Sequence, residues 1–461
     1  MNLTSLSMTR MAQMIAAREV SAEELMWAHL TLLERHNPRL NAVIEVDAQA
    51  ALDAAREADR RRPRDDEPFF GVPMTVKGAW SWSGHRNTAG TLGRKDIIAS
   101  EDATVIARMR AAGAIPFAIT NVPELSLALE TDNLLFGRTN NPYDLTRTPG
   151  GSGGGGAAAI AAGYSPFEVG GDMAGSIRIP AHFCGIAGLK PTHGRVPLTG
   201  YVPGPYGVAM LFATAGPMAR SVEDLAATLH LLAGPDGHDA YAVPARLRHP
   251  GGYRIGSGRI AFHLDNGILA PTRETGMLLA RVARLLPNIE EATPPGIEEA
   301  FEVQWNLLGA DGGYGIETLS RMQGTEENHY LFHGFLDTLR PGKTTAGGVL
   351  DLLAKRDLFR SRIAGFFETY DAVLSPACAF PALPHGYSTA RMAAFSYASA
   401  HNLSGCPAVV VRCGETPEGL PIGVQITAPH WREDIALAIA ARLEEEFGGY
   451  KPPSLQPARV R

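Results

Sequence analysis

The sequence is poor in the features of a secreted, membrane-spanning or metal-centred protein. Its four cysteines (Cys184, Cys378, Cys406, Cys413) are scattered, with no Cys-x-x-Cys and no paired spacing. Neither a disulfide framework nor a structural zinc site is expected, and the thiols read as reduced core residues. The longest run of small apolar residues, Gly153 to Gly163, is too short and too glycine-rich to span a bilayer. Arg10, Arg18 and Glu19 interrupt the first twenty residues, so no secretory core is visible there and a cytoplasmic location is expected. Positive charge is not in excess either: Lys and Arg number 42 against 48 Asp and Glu, a net charge of −6. That balance lacks the electrostatic footprint of a nucleic-acid or anionic-membrane partner. No histidine stands at a position diagnostic of Ser-His-Asp catalysis, although such partners can lie far apart in sequence.

Glycine (50) and proline (33) are abundant, as in a chain with many tight turns. They concentrate around Pro149 to Pro191, PGGSGGGGAAAIAAGYSPFEVGGDMAGSIRIPAHFCGIAGLKP. A Gly/Ser run by itself reads as a linker. This one passes into the helix former Ala157–Ala162 and then into an apolar patch, Ile177 to Leu189, and Asp172 and Arg178 flank its second serine. Charges in such a setting are tolerated mainly as a pair. Ser152 and Ser176 therefore sit in chain able to turn its N–H groups into one concavity, a nucleophile beside an anion-binding nest. Gly151-x-Gly153-x-x-Gly156 imitates a dinucleotide fingerprint, and Gly150-x-Ser152-x-Gly154 a nucleophile elbow. Both require a preceding strand, whereas Asn140-Asn141-Pro142 and Pro149 come first.

Residues 150–192 resemble the signature of the amidase signature family of serine hydrolases, with Ser152 and Ser176 separated as the family's two serines are. The family's catalytic lysine follows Gly-Val-Pro-x-x-Val, matched by Gly71-Val72-Pro73-Met74-Thr75-Val76-Lys77. The resemblance covers roughly residues 5–235 and 370–447. It implies an α/β fold, a single large domain over residues 1–461 with a mixed central sheet covered by helices. The signature core would occupy about 71–192 and a substrate-selecting region about 200–370. It also implies a Ser-Ser-Lys triad. Neutral Lys77 would relay the proton of Ser176 through Ser152, with no cofactor and no metal. Burial at the end of an apolar strand favours an uncharged lysine. Backbone N–H groups of Met173, Ala174, Gly175 and Ser176 would hold the oxyanion, with Asp172 and Arg178 bracing them, and a cis peptide is implied at Gly151–Ser152.

Five positions depart from the family pattern. Gly78 replaces an aspartate, Gly153 and Gly156 replace serines, Gly171 replaces threonine, and Ala174 replaces glycine. The serine losses suggest a wider, less polar floor, and Ala174 would be strained if its position required φ > 0.

Outside the signature, Ser21-x-x-Glu24 predicts a capped helix through Leu33, and Ala42–Val46, Met74–Val76 and Ile115–Ile119 read as strands. Ala48–Asp59 and 101–112 read as helices, and Thr120-Asn121-Val122-Pro123-Glu124 as a helix start. Further helices are expected near 272–286, 297–309, 347–368 and 433–446, with strands at 259–264, 372–376, 409–411 and 419–425. Tyr201, Tyr206 and Trp305 are candidate substrate contacts, each with packing as its other reading, while His182 and His193 could pack or touch substrate. The expected activity is hydrolysis of C–N acyl bonds in small-molecule amides, anilides or carbamates, with esters also open to the same attack. The alternatives are an inactive binding scaffold and an A-type component of an amidotransferase. Oligomeric state is not legible.

Overall fold

Short β-branched runs bounded by glycine and proline become strands in two hydrogen-bonded sheets. The computed structural model describes residues 2–204 and 207–455. β1 (Val43–Val46), β2 (Pro73–Lys77) and β3 (Ile115–Thr120) form a three-stranded sheet ordered β1-β3-β2, with β3 parallel to β2 and antiparallel to β1. β4 (Phe167–Asp172), β5 (Ala187–Lys190), β6 (Thr214–Ala219), β7 (Ile260–Phe262), β8 (Ile289–Glu291), β9 (Ala372–Pro376), β10 (Ala408–Glu415) and β11 (Pro421–Thr427) form the second. Its order is β4-β6-β5-β10-β11-β9-β7-β8, antiparallel from β4 to β9 and parallel beyond. The expected mixed sheet is thus present but divided. Side chains tie the edge strand β2 to the β4 side: Trp80 Nε1 donates to Val169 O (2.8 Å), and Thr75 N donates to Ser165 Oγ (3.1 Å).

Local signals translate closely where they are strong. Ser21 and Glu24 close a full capping box on the helix Ala22–Leu40. The helix Gly154–Ala161 starts with three glycines because no side chain fits. A Cβ on Gly155 would lie 2.3 Å from Asn121 O, and one on Gly154 2.3 Å from Thr131 Oγ1.

The helix expected after Thr120 does not form. Only a 3-10 turn, Glu124–Ser126, follows, with Leu125 and Ser126 at φ 51° and 60°. The buried Glu124 carboxylate supplies the reason, because it is drawn away to Thr91 Oγ1, Asn328 Nδ2 and His329 N. Five helices were not legible: Met8–Ala16, Arg178–Cys184, Tyr314–Met322, Tyr330–Leu339 and Ser396–Ser404.

Burial lowers the pKa of five histidines furthest: His29 to about 3, His182, His263 and His430 to about 4, and His401 well below the usual value. Both ring nitrogens of His401 lack a hydrogen-bond partner. These groups are neutral in the fold, so their contribution is complete above about pH 6.5 and lost as pH falls toward their folded values. Burial moves Glu168 and Glu444 the opposite way, up to about 7, and these two gain as pH falls from 7 toward 4.5. The histidines outnumber the carboxyls. A thermal melt at fixed ionic strength is therefore expected to lose about 5 °C or more between pH 7 and pH 5, and a flat profile would contradict the burial of these rings.

Candidate active site

Lys77 ends β2 with no solvent exposure, because the strand is buried along its whole length. Its Nζ donates to Ser152 Oγ (2.8 Å) and to Tyr201 Oη (2.8 Å). Tyr201 is fixed edge-on against Trp80, ring centroids 4.5 Å apart. Ser152 stands on the turn before the helix Gly154–Ala161, where Gly150 has φ 86° and the Gly151–Ser152 peptide is cis. Gly151 has to be glycine, since a Cβ there would meet Ala128 O and Glu130 N at 2.6 Å. Ser176 follows Gly175, at φ 111°. The two serine loops are joined by Gly153 N donating to Ser176 O (3.1 Å). Ser176 Oγ itself is not hydrogen-bonded to another described residue; such contacts often tighten only with substrate present.

Asp172 shapes the loop that leads to Ser176. Its Oδ1 accepts from Gly175 N (2.8 Å) and its Oδ2 from Ile177 N (3.1 Å). Arg178 binds both oxygens through Nη2 (2.9 Å) and Nε (3.0 Å), and both side chains are fully buried. Burial raises the Asp172 carboxyl, but the Arg178 charge and the hydrogen bonds from Arg178 and Asn402 outweigh it and hold the group well below the usual carboxylate range. Arg178 is held in turn by Ala398 O, Gln425 Oε1 and Asn402 Oδ1. One expected oxyanion donor is spent by this arrangement. The Gly175 N–H points at Asp172, which leaves Met173, Ala174 and Ser176 with N–H groups that have no acceptor among the described residues.

Ser152, Ser176 and Tyr201 open onto one cavity of about 660 Å³, within the range of drug-sized ligand sites. Its walls are mostly apolar, among them Leu125, Leu127, Met173, Val208 and Leu319. Trp305 does not line it. The indole packs behind the Ser176 loop with Ala174, Phe332 and Phe335, and Leu307 and Leu308 face the cavity instead. The helix Ile297–Leu308 turns that side of the residue inward to the apolar cluster. Tyr206 lies outside the described residues. His182 is a core histidine, accepting from Gly423 N at Nδ1 and donating from Nε2 to Phe380 O, and His193 binds Met210 O.

The departures from the family pattern resolve into packing. Ala174 has no positive φ, so alanine brings no backbone strain. A Cβ on Gly78 would stand 2.7 Å from Thr120 O, so the position tolerates no side chain. The floor is not widened: a Cβ on Gly156 would meet Glu168 Oε1 at 1.8 Å, and one on Gly171 would meet Tyr201 Cζ at 2.9 Å. Larger side chains on neighbouring elements fill what the missing hydroxyls leave.

Several contributing residues carry little or no signal in the sequence. Gln304 Nε2 donates to Met173 O (2.8 Å), bracing the Ser176 loop from the variable region, and nothing in its helical context marks it. Asn402 lies in a buried helix and its Nδ2 donates to Asp172 Oδ1 (2.9 Å). Glu168 did carry a signal, a charge inside a strand buried throughout. Among the described residues no group of three or more His, Cys, Asp or Glu is arranged to hold a metal ion, and no helix is long and apolar enough to cross a membrane.

Comparison with known proteins places nearly the whole chain among related sequences and folds. The Amidase family profile matches residues 24–437. Fatty-acid amide hydrolase 2-A of Danio rerio is 30% identical over 98% of this chain and 90% of its own length. Indoleacetamide hydrolase of Bradyrhizobium diazoefficiens is 33% identical over 95% of this chain and 86% of its own. The A-type component of glutamyl-tRNA(Gln) amidotransferase from Salinispora tropica is 32% identical over 98% of this chain and 100% of its own. Among solved structures, 6-aminohexanoate cyclic dimer hydrolase in complex with substrate superposes with a TM-score of 0.86 at 28% identity, covering 98% of this chain and 99% of that one.

Proposed function

The chain belongs to the amidase signature family, hydrolases that act on C–N bonds, and from that premise we propose that it cleaves neutral, apolar amides through an acyl-enzyme on Ser176. The observation that carries this reading is the 2.8 Å contact of Lys77 Nζ with Ser152 Oγ, at the wall of the cavity that exposes Ser176. A serine hydroxyl needs a base at neutral pH. Neutral Lys77 accepts the proton of Ser152 as Ser152 accepts that of Ser176, and Ser176 Oγ attacks the substrate carbonyl. The N–H groups of Met173, Ala174 and Ser176 face the oxyanion, aimed where charge develops. Lys77 returns the proton through Ser152 to the leaving nitrogen, whose bond to the acyl carbon breaks, and water then releases the acid from Ser176.

Charge supports the substrate class. Among the described residues no Lys or Arg lines the cavity. Its carboxylates are already engaged, Asp172 by Arg178 and Asp311 by the N–H groups of Gly313 and Gly315. A substrate with a free carboxylate, such as glutamine, finds no cation there, which disfavours an amidotransferase role. Anilides, aryl carbamates and esters present the same acyl carbonyl to Ser176 and are the next substrates to test.

A fluorophosphonate probe is expected to label the wild type and not Ser176→Ala. In the same preparation a neutral apolar anilide should exceed glutamine in kcat/KM by about 10²-fold or more, since an unpaired buried charge costs several kcal/mol. Labelling that survives in Ser176→Ala defeats the assignment of the nucleophile, and turnover that favours glutamine defeats the substrate class.

A further inference from the structure

Glu168 is a buried acid that the reaction above does not use. It lies in β4 with no solvent exposure. Its Oε2 accepts from Thr120 Oγ1 (2.9 Å), and its Oε1 has no hydrogen-bond partner. Thr120 is the ladder partner of Lys77 between β3 and β2. The carboxyl finds room because residue 156, in the helix that follows Ser152, is glycine. Glu168 is thus wedged between the strand that carries the base and the helix that follows its hydroxyl partner.

An ionised carboxylate with a bare oxygen is costly in such a place unless a proton or a cation offsets it. The charge acting on Glu168 is that of Lys77. The remaining neighbours are not titratable in the working range: Thr75 on β2, Thr120 on β3, Gly156, and Met218 across the ladder in β6. Around Lys77 itself stand Ser152 and Tyr201, while Asp172, at the end of β4, is tied to Arg178. The hydrogen bonds of Lys77 go to Ser152 and Tyr201, so Glu168 acts on it through charge and not through contact. Burial pushes Glu168 up to about 7, against the Thr120 hydrogen bond and the lysine charge that pull it down.

We propose that Glu168 is a positioning residue for this reaction, a buried charge partner that governs whether Lys77 carries a proton and so sets the acid limb of the activity. The proposal rests on the Ser176–Ser152–Lys77 reading given above. An opposite charge nearby favours the charged form of a base, and two interacting groups titrate as a pair. The ionised carboxylate therefore holds Lys77 as the ammonium, which cannot accept the serine proton, whereas a neutral side chain at 168 frees the amine at lower pH. Nothing else in the site requires an acid at that position.

The test is kcat/KM against pH, with a neutral anilide, for the wild type and Glu168→Gln. The acid limb is expected to move to lower pH by about half to one pH unit. At a pH on the wild-type limb, the variant then keeps about 3- to 10-fold more of its own plateau. Coincident limbs, or a limb moved to higher pH, overturn the proposal. Should glutamine disturb the packing, Glu168→Ala combined with Gly156→Ser refills the space with a neutral hydroxyl and reads the same limb. Ser176→Ala is run alongside. Turnover that persists there defeats the reading of the site, while Ser176-dependent turnover with coincident limbs defeats only the role of Glu168.

Discussion

Replacing Lys77 by methionine is expected to lower kcat/KM by about 10⁴-fold while leaving the protein folded, the upper range for loss of a general base. Methionine keeps an unbranched chain of similar reach, so the fully buried end of β2 stays filled. What disappears is the amine that binds both Ser152 Oγ and Tyr201 Oη. Without it Ser152 has no group to pass a proton to, and Ser176 stays a neutral alcohol. Labelling of Ser176 by a fluorophosphonate should slow in proportion, because the probe needs the same activation. Lys77→Arg separates charge from basicity: a guanidinium remains protonated at any working pH, so this variant should be as inactive as the methionine one. Turnover within about tenfold of wild type in either variant would falsify the assignment of the base.

How much of this was visible in the chain depends on how local the information was. The strand that carries Lys77 was legible, because Met74 to Val76 is a short strand-forming run and Lys77 is the first charge after it. The capping box at Ser21 and Glu24 is written within four residues and formed as read. Reading failed where a distant residue decides the local conformation. The segment after Thr120 carries helix-start signals, yet Glu124 is claimed by Asn328 and His329 and the chain turns left-handed at Leu125. Gly156 and Gly171 looked like losses because the side chains that fill their space, Glu168 and Tyr201, sit on other elements. The Gly-rich loop at Ser176 was legible as a loop, but not its wiring. That Gly175 turns its N–H to Asp172, and that Gln304 holds Met173 O, are properties of the assembled site.

The second large effect is structural and lies beneath Ser176. Arg178→Met removes every hydrogen bond that a fully buried guanidinium makes, those to Asp172, Ala398, Gln425 and Asn402. The Asp172 carboxylate is then left buried without its cation, and breaking such a pair from one side costs about 3–5 kcal/mol. Because the Arg178 charge holds Asp172 well below its ordinary range, this stabilisation is fully present at neutral pH and is lost only in strong acid. The milder acid sensitivity between pH 7 and 5 belongs to the buried histidines, so Arg178→Met should lower the urea midpoint at pH 7 and pH 8 alike. Activity should fall more than stability alone explains, since Asp172 also holds Gly175 N and Ile177 N on either side of Ser176. Asp172→Asn combined with Arg178→Met removes both charges and is expected to recover part of the lost stability, a coupling of about 2 kcal/mol in a double-mutant cycle. It should not recover turnover, because an amide cannot accept at both positions where the carboxylate now does. Additive effects in that cycle would mean that the two charges do not depend on each other, and the brace under Ser176 would then have to be sought in Asn402 and Gln425.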